Sequence, residues 1–116
     1  MNNYYLHVIA LDGCPYSKEA IELLNSNNNL KKKIINIPYT DIDKFKTDEI
    51  STFPQIYLKK NNSNGNLLLG GCSELKNFYN TFYKQKLSET NINKFIDQNK
   101  NWSKKATLRF IELINS

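Results

Sequence analysis

The chain has only two cysteines, Cys14 and Cys72, more than fifty residues apart. That is too few and too distant for the disulfide framework of a small secreted protein, so a reducing compartment is expected. Its single histidine, His7, has no second metal ligand beside it, which excludes an imidazole-based metal site as a first expectation. No apolar run approaches the roughly 20 residues of a membrane span. Near the N-terminus no basic segment leads into an apolar core of leader-peptide length. The expectation is a soluble, cytoplasmic protein without a membrane partner. Concentrated charge is missing too. The net charge is +5, but Lys31-Lys32-Lys33 is the only tight basic cluster and the other lysines are scattered. A solvated basic face is expected rather than a nucleic-acid interface. Such a surface would still raise the encounter rate of an anionic small ligand at low salt.

What is present fits one domain. At 116 residues, with 40% apolar residues including seven Tyr and six Phe, the chain can build a single modest core without disulfide staples. The asparagine-rich runs Asn25 to Asn29 and Asn61 to Asn66 read as surface loops. Tyr5 to Leu11, aromatic and branched, reads as a first strand. Ala20, Leu23 and Leu24 recur at helical spacing between Pro15 and about Ser26, and Asn27-Asn28-Asn29 ends that helix. Lys33 to Ile37 alternates toward Pro38 as a second strand, and Asp41 to Asp48 reads as a short helix on Ile42 and Phe45. Gln55 to Lys59 and Asn66 to Leu69 form a hairpin around Asn61 to Gly65. A helix then starts at Ser73, its expected N-cap, with Leu75, Phe78 and Phe82 on one face. Beyond Ser88, Ile92, Phe95 and Ile96 share one helical stripe, and Leu108, Ile111 and Leu113 or Ile114 another, around Trp102 and Phe110.

Cys14 stands between the first strand and the first helix, in Cys14-Pro15-Tyr16-Ser17. A cysteine reacts as thiolate, and its pKa falls where unpaired backbone N–H groups and the positive end of a helix dipole face the sulfur. Pro15 suits the first helical turn, where its missing N–H costs nothing. Ser17 occupies the position at which a second cysteine would complete a C-x-x-C motif, so Cys14 has no resolving thiol in its own loop.

Two further segments accompany it: Thr52-Phe53-Pro54-Gln55-Ile56-Tyr57, a T-x-P followed by a β-rich run, and Gly70-Gly71-Cys72-Ser73-Glu74-Leu75, a double-glycine turn entering a helix. In this order and spacing the three closely resemble the glutaredoxin family, over about Tyr4 to Lys86. The resemblance implies an α/β, thioredoxin-like three-layer α/β/α sandwich with a four-stranded mixed sheet over residues 1–87. Residues 88–116 would be a C-terminal helical extension packed on it. It implies a monothiol glutathione-dependent oxidoreductase, in which Cys14 attacks a glutathione mixed disulfide and a second glutathione releases it. Monomeric behaviour is expected.

The resemblance also assigns roles. Tyr16 is either a wall of the sulfur pocket or a plain exposed aromatic. Pro54 corresponds to the family's cis-proline facing the sulfur, with the Phe53 backbone free to hold the cysteinyl part of glutathione as an added strand would. Gly70 and Gly71 permit close backbone approach, and the N–H groups at Gly71, Cys72 and Ser73 would bind the γ-glutamyl end; a generic double-glycine turn is the plain alternative. Cys72 is a small half-buried residue, a site of glutathionylation, or a distant resolving thiol. Ser17 is read as a helix hydroxyl bonding back to the preceding turn. One departure stands out: many family members have a basic residue where this chain has Leu11, while Asp12 lies nearby. Lys18 or Lys46 would have to supply the missing charge. The runner-up readings are a [2Fe–2S] carrier, with Cys14 from two subunits and two glutathione thiolates as ligands, and a catalytically weak adaptor that docks through its C-terminal helices.

Overall fold

The computed structural model describes residues 3–27 and 30–115. Four strands, β1 (Tyr4–Leu11), β2 (Lys32–Ile37), β3 (Gln55–Lys60) and β4 (Asn66–Gly70), form one mixed sheet in the order β2-β1-β3-β4. β1 runs parallel to β2 and antiparallel to β3, and β4 is antiparallel to β3. A parallel pair needs a crossover, which α1 (Pro15–Asn25) supplies. Central β1 explains its own composition. Leu6, Val8 and Ala10 are fully buried on one sheet face, while Ile9 packs with Ile37 and Tyr57 on the other.

The first face carries most of the core. Ala20 and Leu24 of α1 meet Leu75, Phe78 and Phe82 of α3 (Cys72–Phe82) over Leu6, Val8, Ile56 and Leu58. α4 (Glu89–Gln98) and α5 (Lys104–Ile114) join the same cluster, so residues beyond Ser88 complete this core. Phe110 stacks on Phe78 with ring centroids 4.0 Å apart. Among the described residues, the second face carries the single-turn α2 (Ile42–Phe45), through Phe45, which follows a 3-10 turn at Tyr39–Asp41. Among the described residues no helix is long and apolar enough to cross a membrane.

Several expected details change. The helix expected over Asp41 to Asp48 stops at Phe45 because the Thr47 hydroxyl accepts the N–H groups of Glu49 and Ile50, a local turn that competes with helix. Ser73 is not the N-cap of α3; Gly71 is, and the helix starts one residue earlier. The buried face of α5 is Thr107, Phe110, Leu113 and Ile114, with Leu108 and Ile111 only half-buried at its flank. Helix α1 runs to Asn25 with Ser26 as its C-cap, within a residue of the expected end, but Asn27 is buried instead of lying in a surface loop. Its amide donates to the Ile114 carbonyl at 2.7 Å. Asn28 and Asn29 of that run lie outside the described residues.

Candidate functional site

Strand β1 delivers Cys14 to one end of the sheet through a tight turn. Gly13 adopts φ +77°, a conformation glycine takes without steric cost. The Cys14 N–H bonds the Leu11 carbonyl at 3.1 Å, and its own carbonyl accepts from Lys18 at 3.0 Å. Cys14 is thus the N-cap of α1, with Pro15 in the first turn. Burial pushes its thiol up, but the Ser17 backbone N–H, the Ser17 hydroxyl and the Tyr16 backbone N–H act on the sulfur and leave its pKa below the ordinary thiol value. Asp12, Lys18 and Lys46 are not among the groups that move it, and Lys46 instead pairs with Asp43 at 3.7 Å. The groups that lower the Cys14 pKa are thus helix-start N–H groups and a hydroxyl, with no charged side chain among them.

Ser17 does more than its sequence position suggests. It is 2% exposed, and instead of bonding back to the preceding turn its oxygen accepts the Leu11 N–H at 3.0 Å. The Ser17 hydroxyl is also one of the groups that lower the Cys14 pKa. Ser17→Ala removes that donor and leaves the Leu11 N–H without its acceptor. Cys14 alkylation should slow by roughly three- to tenfold at neutral pH. Its pH profile should also shift upward, because the thiolate loses a stabilising bond. An unchanged profile would separate Ser17 from the thiolate.

The second wall is the segment before β3. The Phe53–Pro54 peptide is cis. Phe53 precedes the first ladder pair, Gln55 with Ile9, and its carbonyl lies 3.8 Å from the Cys14 sulfur. The β3–β4 register slips between Ile56 and Tyr57, and Gly70 takes φ +139° as the chain leaves the sheet. A side chain at Gly71 would begin 3.3 Å from the Pro54 carbonyl oxygen, so glycine lets the start of α3 lie against Pro54. Cys14, Phe53, Pro54, Gly71 and Cys72 are thereby brought to one end of the sheet.

At the start of α3 the Gly71 N–H donates to the Glu74 carboxylate at 2.7 Å. This cap was not read from the sequence, although an acid three residues after a turn glycine signals it. Glu74→Ala should cost about 1 kcal/mol, read as a lower urea midpoint with an unchanged slope. The first-turn N–H groups of Cys72, Ser73 and Glu74 have no intrahelical acceptor and point toward the same end. Ser73 is exposed beside them.

The two thiols differ sharply. Cys72 is buried and not disulfide-bonded. Burial, then the Glu19 carboxylate, push its thiol up, with Cys14 and Glu74 adding to the rise and Lys76 opposing it. Glu19 and Lys76 themselves pair at 2.6 Å across α1 and α3. Tyr16, in the first turn of α1, is 63% exposed, so its side chain stands out into solvent while its backbone N–H acts on the sulfur. His7 lies in β1; burial and the charges of Lys59 and Lys33 lower its pKa. Among the described residues no three His, Cys, Asp or Glu side chains cluster as metal ligands. No protein-family model and no curated protein matches the chain.

Proposed function

We propose that this chain is a glutathione-dependent thiol–disulfide oxidoreductase of thioredoxin-like fold that works through Cys14 alone. The observation that carries the reading is the Cys14 sulfur, capped by helix-start donors, facing the Phe53 carbonyl before a cis proline, with Ser17 where a second thiol would stand. In the proposed cycle the Cys14 thiolate attacks the glutathione sulfur of a mixed disulfide. The S–S bond breaks and the electron pair leaves with the other thiolate, which takes a proton from solvent. A second glutathione thiolate then attacks the Cys14–glutathione disulfide, giving oxidised glutathione and restoring Cys14.

The neighbouring groups suit that cycle. The Phe53 backbone, outside the ladder, can hold the cysteinyl unit as an added strand would. The α3 first turn at Cys72 and Ser73 offers N–H groups to a carboxylate, and Tyr16 can close over the sulfur from solvent. The test is glutathione-coupled turnover of the mixed disulfide between glutathione and β-mercaptoethanol by the wild-type protein. Ping-pong kinetics and a Cys14–glutathione adduct by mass spectrometry are expected. Absence of both turnover and adduct would overturn the reading.

A further inference from the structure

Lysines that are scattered along the sequence are gathered by the sheet. Lys31 to Lys33, at the start of β2, and Lys59 and Lys60, at the end of β3, flank the first residues of β1, at the end of the sheet away from Cys14. The four strands and the β3–β4 loop contain no Asp or Glu. Of the 16 basic residues, those outside this group equal the 11 acidic ones in number, so these five lysines carry the whole net charge of +5. Residues paired across a sheet share a face. Lys33 is paired with His7 and Lys59 with Tyr5, which puts both lysines and both rings on the face opposite the main core. The charges of Lys59 and Lys33 both act on His7, in keeping with that placement. Tyr5 and His7 are half-buried rather than covered, and Tyr5 belongs to neither apolar cluster. The acids Asp41, Asp43, Asp48 and Glu49 lie between β2 and β3, in a segment that leaves and rejoins the sheet at its Cys14 end.

We infer that this face binds single-stranded nucleic acid, with the lysines against phosphates and the Tyr5 and His7 rings against bases. Charge complementarity calls for a polyanion, and the rings narrow the choice. Every base has an aromatic face, and stacking on rings beside a basic surface holds a single strand whatever its sequence. Tyr5 and His7 are two residues apart, about 7 Å along β1, roughly twice the 3.4 Å spacing of stacked nucleotides. That separation suits bases drawn apart from one another. A duplex keeps its bases stacked inside and offers such a face only its phosphates. A lipid surface would call for apolar side chains projecting beyond the lysines, and the large exposed ones, Tyr16, Tyr39 and Leu87, stand outside the strands. Cys14, at the other end of the sheet, takes no part in this site.

The test is fluorescence anisotropy of a labelled oligothymidylate of about 12 nucleotides, titrated with the full chain from about 50 to about 200 mM salt. Wild-type protein should bind it and lose affinity as salt rises. Lys33→Gln combined with Lys59→Gln should make the slope of log affinity against log salt shallower by about 1.4, two phosphate contacts at about 0.7 each. Tyr5→Ala should weaken binding about tenfold at every salt concentration, and Tyr5→Phe should leave it near wild type. An abasic oligonucleotide of the same length carries the same charge without the bases and should bind the wild type about tenfold more weakly. That comparison decides the matter if Tyr5→Ala fails to fold. Equal affinity for the two oligonucleotides would reduce the face to bare charge and overturn the inference. So would the absence of any anisotropy change at the lowest salt. Vesicles of equal parts phosphatidylcholine and phosphatidylserine are the third probe. Binding to them without binding to oligothymidylate would assign the face to a membrane surface and overturn the inference too.

Discussion

Replacing Cys14 with serine is expected to bring turnover on a glutathione mixed disulfide down to the uncatalysed rate, a loss of about a thousandfold or more. Serine is close to cysteine in shape and is a favoured N-cap residue, so folding should be unaffected. What it cannot do is form the covalent disulfide through which the proposed cycle passes. Cys72→Ser should retain most of the activity. The two thiols are shifted in opposite directions: hydrogen bonds from Ser17 and Tyr16 outweigh burial and lower the pKa of Cys14, whereas burial and the Glu19 carboxylate raise that of Cys72. The sign of the pH dependence follows. The wild-type rate should rise with pH as the Cys14 thiolate forms, and level off below the pH at which a free thiol would. Measuring initial rates for the three proteins across pH decides the assignment. Equal losses in the Cys14 and Cys72 variants would mean that the two sulfurs act together, and the single-thiol mechanism would fall.

How much of this was legible in the chain depended on the range of the interactions involved. Strand β1, helix α1, the β3–β4 hairpin and the apolar face of α3 follow from periodicity and turn residues, and the structure has them within a residue or two. Cys14 at a helix start was equally local, because strand, Gly13 and Pro15 are its sequence neighbours. The details that escaped are polar side chains whose partners lie elsewhere. Asn27 sits in an asparagine run that reads as loop, yet its amide finds the Ile114 carbonyl, 87 residues away. Ser17 looked like a hydroxyl turned onto its own helix, and the acceptor it offers is used by Leu11 on the strand before. Thr47 is the opposite case. Its side chain reaches only two and three residues ahead, but periodicity counts apolar positions and does not see a hydroxyl outbidding a helix turn.

The second large effect concerns residues 88–116. If they were a detachable docking segment, removing them would leave a folded protein. The packing argues otherwise. Phe110 is fully buried, Trp102 is 2% exposed, and both join Phe78 and Phe95 in one aromatic cluster. Phe110→Ala should cost about 3–5 kcal/mol, a large part of the roughly 5–15 kcal/mol that holds a domain together. Deleting residues 88–116 strips Phe78 and Phe82 of those partners at once and should abolish cooperative urea unfolding, whereas Lys105→Ala on the exposed face of α5 should stay within about 0.5 kcal/mol. The loss should reach the site as well. The Trp102 indole N–H donates to the Leu68 carbonyl at 2.8 Å, bracing the strand that ends at Gly70 and sets α3 against Pro54. Asn115 ties the end of α5 to the Phe82 carbonyl and the Lys84 N–H, and Asn27 ties it to α1. A truncated chain that still unfolds cooperatively and still turns over substrate would show that these contacts are dispensable. A truncated chain that fails at both would make the C-terminal helices part of the scaffold that positions Cys14's partners.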